Sequence, residues 1–125
     1  MTVEQINEAY SGADSYADIV ENLLALGVKS YMVDVATSVT VFRLAGGETN
    51  VRFTGKEFRA PEVDFDAAEV KNAIAANQKG QTDFHQFMDH TARAGLRFYE
   101  ATLNGENKRV EYFGLGASHV EAIPL

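Results

Sequence analysis

Three histidines and the carboxylates near them are the residues of this chain whose chemistry is easiest to name. His119 and Glu121 are two apart in a predicted strand, so their side chains point to the same side. A histidine between carboxylates can act as a general base or as a single metal ligand. A cross-strand charged pair on an open sheet face explains the same pattern without any activity. Both interpretations stay open.

The other motifs predict no catalytic machinery. His85 and His90 are five apart in a predicted helix, about 140° round it, so they cannot reach one ion. The chain has no cysteine, which excludes disulfides and thiolate chemistry. Ser118 is next to His119, but adjacent strand residues face opposite sides, which separates a nucleophile from its base. We therefore predict no metal and no cofactor, and we lean against an enzyme.

The predicted outward face of the sheet is the better candidate for a site. If Val110 and Tyr112 pack inward, strand alternation places large apolar side chains on that face among charged ones. Such groups on a solvent-facing sheet indicate that the other half of the chain, a second subunit or a ligand covers them. The predicted ligand-binding or partner-binding residues are Phe98, Glu100, Glu111, Phe113, His119 and Glu121, with Met32, Asp34, Arg109 and Ile123 on the same face.

The structural elements that position these residues are predicted by an internal duplication of the chain. Residues 15–35 match residues 83–103 without a gap when they are shifted by 68 positions. The shift superposes Ile6 on Ile74, Gly12 on Gly80, Tyr16 on Phe84, Ile19 on Phe87, Val20 on Met88, Gly27 on Gly95, Val28 on Leu96 and Tyr31 on Tyr99. Fixed-period similarity with matching glycines is typical of a repeated structural unit. Tyr31 and Tyr99 are predicted to face inward in their strands.

Each half predicts two helices followed by three strands. Thr2 with Gln5 and Asp66 with Glu69 have the spacing of capping boxes. Gly27 and Gly95 stand where a helix ends in a left-handed residue. The predicted strands are Lys29–Val35, Val39–Leu44, Asn50–Phe53, Leu96–Leu103, Arg109–Phe113 and His119–Ile123.

Short turns between these strands make the two meanders antiparallel. The prediction is an α+β protein in two layers, an internally duplicated helix–helix–antiparallel β-meander unit. Residues 1–125 form one domain of two repeats, about 2–53 and 66–123, with a linker at 54–65. Whether the two meanders join in one sheet or stack stays open.

Composition narrows the class of partner. With 18 acidic and 11 basic residues the net charge is −7, which disfavours nucleic acid. No apolar run approaches the roughly 20 residues of a membrane span, and the acidic N-terminus is not typical of a signal peptide. We expect a cytoplasmic protein that contacts neither nucleic acid nor membrane.

The chain resembles the YdfO-like family, whose members are labelled phage-envelope-like proteins of unknown function. The residues that carry the resemblance are A-G-x-x-x-Y at Ala94, Gly95 and Tyr99, V-x-Y at Val110 and Tyr112, G-x-x-H-V-E at Gly116, His119, Val120 and Glu121, then Pro124, and Q-x-G at Gln78 and Gly80. The first half departs from the pattern at Leu26, where the second half has Ala94. The resemblance implies a small cytoplasmic α+β protein of bacterial or prophage origin, and implies no activity.

Two functions fit these observations. The first is a non-enzymatic binding or protein-interaction module that forms a homo-oligomer or binds a protein partner through the outward face. The alternative is a small-molecule sensor or enzyme that uses a site at His119 and Glu121. A deep pocket lined by these two residues and aromatic side chains would favour the alternative, and a flat apolar face would favour the first.

Overall fold

A computed structural model describes residues 1–53 and 58–123. In these residues the helices are α1 (Val3–Ser11), α2 (Tyr16–Ala25), α3 (Ala67–Gln78) and α4 (Phe84–Arg93), and the strands are β1 (Val28–Asp34), β2 (Val39–Leu44), β3 (Thr49–Phe53), β4 (Phe98–Thr102), β5 (Arg109–Phe113) and β6 (Ser118–Ala122). Each half therefore runs helix, helix and three strands, which confirms the predicted order of elements.

The two meanders join edge to edge in one antiparallel sheet. The strand order is β3-β2-β1-β4-β5-β6, so the first strand of each half lies at the centre. β1 pairs with β4 in a register that places Tyr31 opposite Ala101 and Val33 opposite Tyr99. The six strands share one continuous surface because this central pair closes the seam between the halves.

The helices cover one face of the sheet, which we call the inner face; the opposite face is the outer face. Buried residues of all four helices form a single core with the inner-face side chains. Its largest fully buried members are Phe42, Ile6, Leu23, Met88, Leu96 and Leu103. One helical layer on one sheet is the predicted two-layer α+β fold.

Side-chain caps fix where the helices begin. Thr2 and Gln5 form the predicted capping box on α1, with each side chain bound to the backbone amide of the other. At α3 only half of the predicted capping box forms: the Asp66 side chain accepts a hydrogen bond from the amide of Glu69. The Glu69 carboxylate instead accepts from Asn72 Nδ2 at 3.0 Å and lies 3.2 Å from His90 Nε2. The Glu69 carboxylate therefore links α3 to α4, whereas a complete capping box would have stabilised α3 alone.

The described part of the linker runs along both halves. Of the predicted linker 54–65, residues 54–57 lie outside the described residues. The amide of Arg59 donates to the carbonyl of Ala36 at 2.8 Å, its Nη1 donates to Ser38 Oγ at 2.7 Å, and its Nε donates to Asp89 Oδ1 at 2.6 Å. Arg59 thus holds the linker to the end of β1 and to α4 at once.

Candidate functional site

The predicted site residues divide between the two faces of the sheet. Phe98 pairs with Phe113 and Glu100 with Glu111, and all four lie on the outer face as predicted. The rings of Phe98 and Phe113 stack with their centroids 4.7 Å apart. Val110 and Tyr112 of β5 are buried on the inner face, as the prediction required.

His119 and Glu121 lie on the inner face, so the prediction that they share a surface with Phe113 is wrong. His119 pairs with Tyr112 and Glu121 with Val110, and paired residues of a ladder point the same way. The four residues 114–117 connect the paired Phe113 and Ser118, and this loop length sets the register.

The error came from the apolar residues of β6. Outward positions for His119 and Glu121 would turn the apolar Val120 and Ala122 inward, but both are exposed on the outer face. Ile123, predicted to face outward, is 8% exposed and joins the core.

The His119–Glu121 pair is an interaction within the edge strand. His119 Nε2 lies 2.9 Å from Glu121 Oε2, and the imidazole ring lies 6.1 Å from the ring of Tyr112 in a stacked arrangement. Both side chains are half-buried. This geometry matches a hydrogen-bonded pair at the rim of the inner face, and neither residue lines the cavity described next.

A cavity of about 440 Å³ lies between the helices and the inner face of the sheet. Its volume is within the range of pockets that hold small organic ligands. Four pairs of lining residues are related by the shift of 68 positions: Tyr10 and Gln78, Tyr16 and Phe84, Ile19 and Phe87, Tyr31 and Tyr99. The cavity therefore lies at the seam between the two halves and takes equivalent positions from each.

All five tyrosines of the chain line this cavity: Tyr10, Tyr16, Tyr31, Tyr99 and Tyr112. The hydroxyls of Tyr16 and Tyr31 share a hydrogen bond of 2.5 Å. Burial raises the pKa of Tyr16 to about 12 and raises the pKa of the other four tyrosines as well. A phenol of ordinary pKa is already neutral near pH 7, so all five are neutral there, and each can donate or accept a hydrogen bond.

Arg52 brings a positive charge to the cavity wall. It lies on the inner side of β3, opposite Thr40, and both residues line the cavity. The Cζ atom of Arg52 is 4.4 Å from the centroid of the Tyr10 ring, a cation–π arrangement. Its Nε is buried and has no hydrogen-bond partner among residues 1–53 and 58–123.

Polar groups from the connection between α3 and α4 form another part of the lining. Asn77 Nδ2 donates to the carbonyl of Thr82 at 3.1 Å, which folds this connection back on itself. Asp83 accepts from the amide of Gln86 at 2.8 Å as the cap of α4. His85 lies two residues after Asp83 and is exposed. In the described part of the chain, no three His, Asp or Glu residues are grouped as a metal site requires.

Sequence reasoning found the inward tyrosines Tyr31 and Tyr99 but missed the cavity and Arg52. The signal for Arg52 was present in β3, where polar Asn50 and Arg52 alternate with apolar Val51 and Phe53. When the inner side of a strand carries only polar residues, those residues face other polar groups or an open cavity.

Fold and site together define the class: a two-layer α+β protein with a cavity of ligand size, lined by tyrosines, at the seam of its two halves. The chain belongs to the family described as "Protein of unknown function (DUF1398)", whose model matches residues 4–120. No curated protein matches the chain at a significant level. Among the described residues, the helices are too short or too polar to cross a membrane.

Proposed function

We propose that this protein is a non-enzymatic binding protein that holds a small organic molecule in the central cavity. The observation that carries the proposal is the convergence of all five tyrosines on one cavity of about 440 Å³. A core built for stability alone is packed to crystal-like density and leaves few spaces larger than a water molecule. Prophage origin and a cytoplasmic location, which the YdfO-like resemblance implies, stay predictions.

The lining suits a ligand with an apolar, flat body and a few polar groups. Phe84, Phe87, Ile19 and Val33 provide apolar contact, and the phenol rings provide faces on which a ring can stack. The hydroxyl groups around them fix orientation, because a buried phenol gains from each hydrogen bond it makes. Ligand pockets in general combine such an apolar lining with a small number of polar groups.

A neutral aromatic probe tests this proposal directly. We expect 2-naphthol to bind the wild-type protein with a dissociation constant below about 1 mM in calorimetric titration. Ile19→Trp fills the cavity from α2 and should weaken binding about tenfold or more. Val120→Trp adds the same ring on the outer face, where the side chain is 51% exposed, and should leave binding unchanged.

Two results would overturn the proposal. One is the absence of 2-naphthol binding to the folded wild-type protein. The other is equal binding by wild type and Ile19→Trp, which would place the probe outside the cavity. Because the chain contains no other tryptophan, fluorescence of the Ile19→Trp variant also reports whether the new ring is buried.

A second proposal concerns the outer face, and its occupant is a second copy of this chain. Large apolar side chains on that face are exposed at both edges of the sheet, with Val51 58%, Phe53 56% and Val120 51% exposed. The Phe98–Phe113 stack lies on the same face, and Phe98 is 37% exposed. Several large apolar side chains on a sheet face that also carries charged residues are typical of a surface that a partner covers. Association of two copies through this face would remove it from water.

A further inference from the structure

Arg52 indicates what kind of molecule the cavity takes. We infer that the ligand is a small monocarboxylate with an apolar, aromatic-sized body, and that its carboxylate binds the guanidinium of Arg52. This inference rests on the proposed binding function of the cavity and adds the charge of the ligand to it.

The first argument is the unsatisfied Nε atom of the Arg52 guanidinium. A buried charged donor without a partner costs free energy, so such groups are paired in most proteins. Among residues 1–53 and 58–123, no carboxylate lies within ion-pair distance of Arg52, although Arg59 and Arg109 each have one. An arginine guanidinium is a charged donor with no acceptor of its own, so its partner must be an oxygen atom from elsewhere. A ligand oxygen is the partner that its buried Nε lacks.

The second argument is the way in which Arg52 is held. Its guanidinium lies over the Tyr10 ring at 4.4 Å, which fixes the plane of the group without using its N–H donors. The edge formed by Nε and one Nη matches the two oxygens of a carboxylate, and this bidentate pair is the strong form of the arginine–carboxylate contact. An arginine stacked in this way is preorganised, so less conformational entropy is lost when a ligand binds.

The third argument is the charge balance of the lining. Arg52 is the one lysine or arginine among the described lining residues, and Asp83 is the one carboxylate. The five tyrosines are neutral near pH 7 because a phenol ionises only near pH 10, and burial raises the pKa of each above that value. Arg52 can pair with one ligand carboxylate, whereas a phosphate dianion would add two negative charges to that of Asp83 in a lining that has no second lysine or arginine among the described residues. Asp83 belongs to the cap of α4, so the ligand carboxylate is placed at the β3 side of the cavity.

The test compares two probes of nearly the same shape, 2-naphthoate and 2-naphthamide, by calorimetric titration at pH 7. Wild type should bind the carboxylate at least tenfold more tightly than the amide, because hydrogen bonds to a charged group contribute more than neutral ones. Arg52→Gln should reduce that ratio to about one while the amide still binds. Arg43→Gln is the matched control, since it removes the same charge from the exposed outer side of the neighbouring strand β2 and should leave the ratio unchanged.

The outcomes separate the two proposals. If wild type binds both probes equally, or if Arg52→Gln keeps the preference, the carboxylate inference is wrong while the cavity remains a binding site. If wild type binds neither these probes nor 2-naphthol, the proposed function itself fails. Should Arg52→Gln prove unfolded, the wild-type ratio still decides the inference, and Arg52→Lys should retain a reduced preference because it keeps the charge without the planar fork.

Discussion

Gly27 and Gly95 occupy the same position in the two halves, but their surroundings differ. Both follow a helix and have left-handed backbones, with φ of +88° and +84°. A Cβ at Gly27 would meet no atom within 4 Å, whereas a Cβ at Gly95 would clash with the backbone of Asp64 and Phe65. The linker passes so close to Gly95 because the amide of Asp66 donates to the carbonyl of Ala94 at 2.8 Å.

This difference predicts unequal costs for one substitution at two equivalent positions. Gly27→Ala should lower the free energy of unfolding by about 1 kcal/mol, since alanine resists positive φ. Gly95→Ala should lose about 1–3 kcal/mol more, because the linker must also move. Denaturant unfolding of the two variants measures both values. Equal losses of unfolding free energy would show that the linker moves away from Gly95 at no measurable cost, and that its close approach does not restrict substitution there.

Single residues also show how far the sequence could predict the site. Tyr31 and Tyr99 were predicted to face inward from strand alternation and from their equivalent positions in the two halves, and both are buried. The same reasoning fails for Arg52. Its neighbours Val51 and Phe53 are apolar, so strand alternation predicts that they face the core and that Arg52 faces outward. The structure turns those two outward and leaves Arg52 at the cavity.

At the scale of elements, both edge strands have reversed polarity. β3 directs Asn50 and Arg52 to the inner face, and β6 directs His119 and Glu121 there. Strand alternation predicts which residues share a face, but the turn length decides which face that is. In the central strands the apolar residues face the core, as alternation predicts, because core packing and strand register favour the same face there. At the edges the register set by the turns prevailed, and for this reason the predicted site combined residues of opposite faces.

The reversed edges contribute to an outer face whose apolar residues predict association of two copies. We expect the wild-type protein to be a dimer in light scattering, and Phe113→Asp to shift it to monomer while the chain stays folded. Each aromatic side chain removed from water contributes about 1.5–3 kcal/mol, and an unpaired carboxylate in its place is costly to bury.

The control for this variant is Val3→Asp, which adds the same charge to the helical layer at a residue that is 67% exposed. The Val3→Asp variant should remain a dimer in light scattering. A monomeric wild type, or a Phe113→Asp variant of unchanged mass, would show that the outer face is ordinary protein surface. Unfolding of Phe113→Asp is not expected, because Phe113 lies outside the buried core.

At the scale of the molecule, the cavity exists because the two halves share a sheet. Had the meanders stacked, Tyr31 and Tyr99 would have belonged to separate surfaces; instead β1 and β4 pair and place Tyr99 opposite Val33, two residues from Tyr31. The repeat pattern predicts two equal halves but not how they meet, since the pairing of β1 with β4 depends on main-chain hydrogen bonds and only weakly on residue type. The order of elements was therefore predictable from the sequence, and the cavity at the seam was not.

The tyrosine-lined seam predicts a specific response to alkaline pH. Burial raises the pKa of Tyr16 to about 12 from an ordinary value of 10.0, and raises the pKa of the other four in the same direction. The protonated phenol is thus favoured by the folded state, so the stability it contributes is fully present below pH 10 and is lost as the pH rises above that value. Each tyrosine weakens the fold by up to about 1.4 kcal/mol per pH unit in that window. We therefore expect tyrosinate absorbance and loss of far-ultraviolet circular dichroism to rise together in one cooperative transition above pH 10. Tyrosinate that forms near pH 10 in a protein of unchanged dichroism would mean instead that the cavity is open to solvent and that its phenols ionise in the folded state.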